Sequence, residues 1–91
     1  MRWYTGVVRY VVELKPQALK DLRVLSKGDQ RRVVTALERL EHNLTGDVKR
    51  LTNFTPEYRL RVGVYRVLFE LADNHRAVVY RVRHRREVYR P

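Results

Sequence analysis

The stretch Tyr58-Arg59-Leu60-Arg61-Val62-Gly63-Val64-Tyr65-Arg66-Val67-Leu68-Phe69-Glu70-Leu71 decides the fold. Side chains along a strand point alternately to its two faces. Here Tyr58, Leu60 and Val62 alternate with Arg59 and Arg61, and Tyr65, Val67, Phe69 and Leu71 alternate with Val64, Arg66, Leu68 and Glu70, with Gly63 at the junction. One face is apolar and must be covered; the other carries arginine. Downstream, Asp73-Asn74-His75 reads as a turn, and Val78, Tyr80 and Val82 alternate with Val79, Arg81 and Arg83 in a further strand. The remainder, His84 to Pro91, is short and charged.

Upstream, Val48 to Leu51 forms a short strand and Thr52-Asn53-Phe54-Thr55-Pro56 a loop. Before Gly46 the period changes. Val33, Leu37, Leu40 and Leu44 recur at helical spacing behind Asp29, which is placed to cap the helix. A shorter helix starts at Pro16, whose missing N–H suits a first helical position, and carries Ala18, Leu19, Leu22 and Leu25. Ser26-Lys27-Gly28 separates the two, and Val7 to Leu14, rich in Val and Tyr, reads as the first strand. The expected fold is therefore α+β, in the order β-α-α-β-β-β: an antiparallel sheet with two helices packed on one face, as a single domain over residues 1–91. This register sends Tyr58, Leu60, Val62, Tyr65, Val67, Phe69, Leu71, Val78, Tyr80 and Val82 toward the helices. Arg59, Arg61, Arg66, Arg81 and Arg83 then emerge together on the uncovered face, with Arg85 continuing the row.

Charge agrees with a cationic working surface. The 91 residues hold 20 Lys+Arg against 10 Asp+Glu, a formal charge of +10, and a pI near 10.7. Sixteen of the cations are arginine, whose planar fork suits bidentate phosphate contact. Most of the excess lies beyond Val48, so a polyanion is the natural partner. Cysteine is absent, which excludes disulfides, thiolate nucleophiles and cysteine metal sites. The longest apolar run, Ala77 to Tyr80, is far too short for a membrane span, and the cytoplasm is the expected compartment.

Few catalytic devices can be built from these residues. His42, His75 and His84 lack metal-ligand spacing, so no metal is expected. Ser26 is the only serine, and no phosphate-binding glycine loop occurs. Glu70 and Glu87 are the acids expected near the basic face, each paired with an arginine. Arginines, one histidine and tyrosines suit a phosphodiester, where charge builds on non-bridging oxygens. RNA supplies its own nucleophile in the 2′-hydroxyl, so positioning, charge stabilisation and proton transfer are enough. His84 is either a proton-transfer group, as the residue type that titrates closest to neutrality, or a structural histidine, since alternation turns it toward the core side.

The segment Val48 to Tyr89 holds V-K-R-L, Y-R-L-R-V-G-V-Y-R-V-L-F and V-Y-R-V-R-H-R-R-E-V-Y. It resembles the RelE/ParE superfamily of bacterial type II toxin–antitoxin toxins, and the ending H-R-R-E-V-Y is similar to the RelE branch, whose members cut mRNA in the ribosomal A site. The resemblance implies a RelE-like microbial RNase fold and a ribosome-dependent endoribonuclease without cofactor. It places the first two basic catalytic residues, often lysines, on Arg59 and Arg61, and the later catalytic positions on Arg66, Arg85 and Tyr89. Arg59 in place of lysine is a poor proton acceptor, because a guanidinium stays protonated. Tyr89 is either a lid over the sheet or a stacking or proton-transfer group. Lys49, Arg50, Arg81, Arg83 and Arg86 are expected to bind RNA. The implied partners are a cognate antitoxin with an acidic or amphipathic helical segment, together forming a heterotetramer, and the ribosomal A site with its mRNA; no membrane is involved. A ParE-like gyrase inhibitor and a non-enzymatic basic RNA-binding module are the competing functions.

Overall fold

The computed structural model describes residues 8–88. Its elements are β1 (Val11–Leu14), α1 (Pro16–Arg23), α2 (Lys27–Leu40), β2 (Asp47–Arg50), β3 (Tyr58–Val62), β4 (Tyr65–Ala72), β5 (Arg76–His84) and α3 (Arg85–Val88). The strands form one sheet in the order β1-β5-β4-β3-β2. β2 through β5 pair antiparallel, as the alternating pattern requires, and Gly63 takes φ 59 at the first position of the two-residue β3–β4 loop. The all-antiparallel expectation is corrected at one edge, where β1 runs parallel to β5 with Val11 opposite Arg76 and Leu14 opposite Val79. Two helices lie between β1 and the rest of the sheet in the chain, long enough for a crossover that lets two strands run the same way.

α1 continues past the end of β1 along the edge of β5. There Asp21 Oδ2 accepts the Val82 N–H at 3.0 Å, as a neighbouring strand's carbonyl would. α2 is capped by Ser26, whose Oγ accepts from the Asp29 N–H at 3.2 Å, so Asp29 lies in the first turn and is not the cap. The helix ends at Leu40. Asn43 and Leu44 adopt φ 59 and 55, so Leu44 reaches the core from the connection and not from the helix.

The core joins Ala18 and Leu22 of α1, Val33, Leu37 and Leu40 of α2, and Leu60, Val67, Phe69, Ala77, Val79 and Val82 of the sheet. Phe69 is fully buried at its centre, and its truncation to Ala would cost about 3–5 kcal/mol. On β5 the core residues are Ala77 and Val79, not the expected Val78 and Tyr80. A bulge explains the change: Phe69 faces Val79 while Leu68 faces Arg81, so Tyr80 is the extra residue and alternation restarts at Val82. Leu71 is exposed at the far end of β4, beyond helix cover.

Candidate functional site

The face away from α2 carries an ordered pattern of charge. Asp47 of β2, Arg61 of β3, Arg66 of β4 and Arg83 of β5 are successive cross-strand partners, and so form one row across four strands. Neighbouring strands lie about 4.8 Å apart, so the three arginines are stacked within about 10 Å. Arg59 stands two residues along β3 on the same face, opposite Lys49 and Leu68. Like charges placed directly opposite one another destabilise a sheet, and this row has three together.

Burial sharpens the anomaly. Arg59 is only 6% exposed and Arg66 7%. Arg66 Nη1 donates to the carbonyls of Tyr65 and Gly63 at 3.1 and 3.4 Å, while its Nε is without a partner. Arg59 Nε and Nη1 and Arg83 Nε are buried and likewise without hydrogen-bond partners among the described residues. A guanidinium cannot shed its proton to relieve such a position, and a buried charge is tolerated only when paired. A guanidinium offers donors only, so the group chemically suited to these nitrogens is an anion.

Two carboxylates bracket the row. Asp47 lies 3.2 Å from Arg61 Nε and 3.8 Å from Arg59 Nη1, and Glu87 lies 3.7 Å from Arg83 Nε. The Glu87 pairing follows the sequence expectation; Asp47 was not anticipated, although it begins the period-two pattern of β2. Arg61 and Asp47 also line a groove of about 950 Å³ between α2 and the β2–β3 end of the sheet, with Ala36, Leu60 and Val62 on its walls and Arg31, Arg32 and Arg39 on α2.

The family described as the ParE toxin of type II toxin–antitoxin system, parDE, matches residues 12–89. The chain belongs to the RelE/ParE superfamily of type II toxins. This RelE/ParE toxin is 30% identical over 84 residues to a RelE1 toxin candidate of Methanocaldococcus jannaschii, across 88% of this chain and 93% of that protein. Its fold matches the toxin–antitoxin complex RelB–RelE of Methanococcus jannaschii with a TM-score of 0.69 and 26% identity, covering 85% of this chain and 94% of that one. The archaeal RelE–RelB complex of Pyrococcus horikoshii OT3 gives 0.71 and 25% identity, covering 88% and 99%. RelBE2 of Mycobacterium tuberculosis gives 0.60 and 27%, covering 85% and 92%.

The remaining expected site residues of the toxin are distributed as follows. Arg81, expected to bind RNA, faces Leu68 through the bulge, and its guanidinium is held doubly by Asp21 at 2.7 and 3.2 Å. Burial works to raise the Asp21 carboxyl, yet hydrogen bonds from Arg81, the Val82 N–H and Gln17 outweigh it and leave the group below its usual range. Lys49 is exposed on β2, and Arg50 pairs with Glu57 at 3.4 Å. Arg85 and Arg86 are exposed in α3, so Arg85 does not continue the strand row as expected. Tyr89 lies outside the described residues.

His84 sits on the helix side. It is the cross-strand partner of Tyr65, with the two rings edge-on at 5.8 Å, and Tyr65 in turn donates to Asp29 Oδ2 at 3.0 Å. That bond to a carboxylate raises the Tyr65 hydroxyl above its ordinary range. His84 Nδ1 accepts the Arg86 N–H at 3.2 Å, and Glu87 Oε1 accepts the His84 N–H at 3.2 Å, a reciprocal cap on α3. In the neutral ring this leaves the proton on Nε2, so His84 has no free acceptor nitrogen.

Proposed function

We propose that this toxin is a ribosome-dependent mRNA endoribonuclease in which the scissile phosphate sits on Arg59, Arg61, Arg66 and Arg83. The observation that carries the reading is the set of buried guanidinium nitrogens on Arg59, Arg66 and Arg83 that have no hydrogen-bond partner among the described residues, with the Asp47 and Glu87 carboxylates standing off at 3.8 and 3.7 Å from Arg59 and Arg83. Such donors stabilise an oxyanion most strongly where water is excluded and no reorganisation is needed. The 2′-hydroxyl attacks the adjacent phosphorus in line, forming a 2′,3′-cyclic phosphate and releasing the 5′-oxygen, which takes up a proton. Arg59 contributes charge and not base catalysis. Proton transfer is left to Tyr89 and to the Asp47 and Glu87 carboxylates that bracket the row.

The neutralising partner on this reading is an antitoxin whose acidic or amphipathic helical segment enters the groove along α2, where the apolar walls and the arginines of α2 match such a segment. The family match to ParE toxins favours a second reading, inhibition of DNA gyrase. A translation extract separates the two. Truncated mRNA in the presence of ribosomes supports the nuclease; inhibited supercoiling with intact mRNA supports the gyrase inhibitor. Affinity for RNA should also fall steeply with salt, because each neutralised phosphate releases counterions.

A further inference from the structure

The bulge that removes Tyr80 from the core places it on the arginine side of the sheet, at the margin of a second cleft. This cleft, of about 510 Å³, is lined by Lys15, Pro16, Gln17, Thr55, Pro56, Glu70, Tyr80 and Arg81. Its size falls in the range of small-ligand sites. Tyr80 offers an aromatic ring with Lys15 Nζ 5.7 Å from its centroid, and Pro56 offers an apolar wall. Arg81 is already committed to Asp21, which leaves Glu70 as the carboxylate of the cleft; it is half-buried and takes part in none of the ion pairs or side-chain hydrogen bonds among the described residues.

Position and charge together identify the occupant. Glu70 lies four residues along β4 from Arg66 on the same face, about 13 Å away at the rise of a strand. A carboxylate repels phosphate, whereas the arginine row attracts it, so a nucleotide chain crossing the face leaves its phosphates on the row and turns a neutral, donor-bearing group toward Glu70. We infer that the Tyr80–Glu70 cleft is a nucleobase subsite that seats one base of the RNA whose phosphate lies on the arginine row, and that it selects guanine. The inference rests on the phosphate reading above. Tyr80 stacks on the base, in the way aromatic side chains hold single-stranded RNA. Guanine presents two adjacent N–H donors to the two oxygens of Glu70 and an O6 acceptor to Lys15. Adenine and cytosine present one amino group, and the single imino N–H of uracil lies between two carbonyl oxygens that the carboxylate repels.

The test uses short single-stranded RNA oligonucleotides with 2′-O-methyl riboses, varied at one position at a time and followed by fluorescence anisotropy with the full-length protein. At one position guanine should bind about tenfold tighter than uracil, the discrimination typical of a bidentate base contact. Glu70→Gln should abolish that preference by weakening the guanine oligonucleotide and relieving the repulsion of uracil, and Tyr80→Ala should weaken every base at that position. Circular dichroism establishes that both variants fold, and Tyr80→Phe, which keeps the ring, should bind as the wild type does. If oligonucleotides bind through Arg66 but show no base preference, or keep it in Glu70→Gln, the subsite is overturned and the phosphate site stands. If no oligonucleotide binds while ribosome-bound mRNA is still cleaved, the subsite is overturned and the phosphate site stands; if cleavage is absent as well, both are overturned.

Discussion

Arg61 and Arg66 face each other directly across β3 and β4, and Arg83 faces Arg66 from the opposite side. Three neighbouring cations oppose folding, so the row costs the sheet stability.

Arg66→Met should therefore stabilise the protein. Replacing a poorly paired buried charge by an apolar side chain of similar length often gains stability, here by about 1 kcal/mol. The same variant should cleave ribosome-bound mRNA about 10²–10³-fold more slowly, the usual loss for one preorganised donor. Urea midpoints and single-turnover cleavage measure the two effects; a destabilised variant would show that Arg66 is held by contacts stronger than those to Tyr65 and Gly63.

Acid should weaken the edge of the sheet through Asp21. Its carboxyl is lowered in the folded protein, so its contribution is complete above the ordinary aspartate range and disappears as the pH falls through the lowered native value. Asp21→Asn keeps an acceptor for Val82 but loses the charged bond to Arg81, at a cost of about 2 kcal/mol near neutrality. Melting temperatures of the variant should depend less on pH in acid than those of the wild type.

Gly46→Ala should destabilise by about 1–3 kcal/mol. Gly46 has φ 140, and an added Cβ would lie 2.8 Å from Leu60 Cδ1 in the core. Thermal unfolding reads the loss directly.

His84→Asn should retain cleavage close to the wild-type rate, because asparagine can replace Nδ1 as the acceptor at the start of α3. His84→Ala should lose about 1 kcal/mol of stability with the cap. If Asn abolishes cleavage in a folded protein, the histidine acts chemically and the assignment to the cap is wrong.

Much of this could be read from the chain because both faces of β3 and β4 are written in a period of two. Leu60, Val67 and Phe69 are buried in the core, and Arg61 and Arg66 share the other face. Reading failed where one residue changed the phase. Tyr80 is apolar enough for the core, and nothing local distinguishes it from Val79, so only pairing with Leu68 and Phe69 reveals the bulge. The burial of Arg59 and Arg66 was invisible for a related reason: alternation gives the face of a side chain and not what packs over it. His84 shows the converse, since alternation placed it correctly on the helix side while its chemistry suggested the other.

Asp21 has one further consequence. β1 stops at Leu14, opposite Val79, and would leave the outer margin of β5 unpaired from Tyr80 onward. A bare strand margin is a template on which another chain can add itself, and sheets that keep one are prone to grow into fibres. The helix that follows β1 closes this margin, with Asp21 Oδ2 on the Val82 N–H and its carboxylate fork on Arg81. A toxin separated from its antitoxin therefore keeps this side sealed by its own side chain, and Asp21→Ala should convert it into a protein that self-associates in proportion to its concentration.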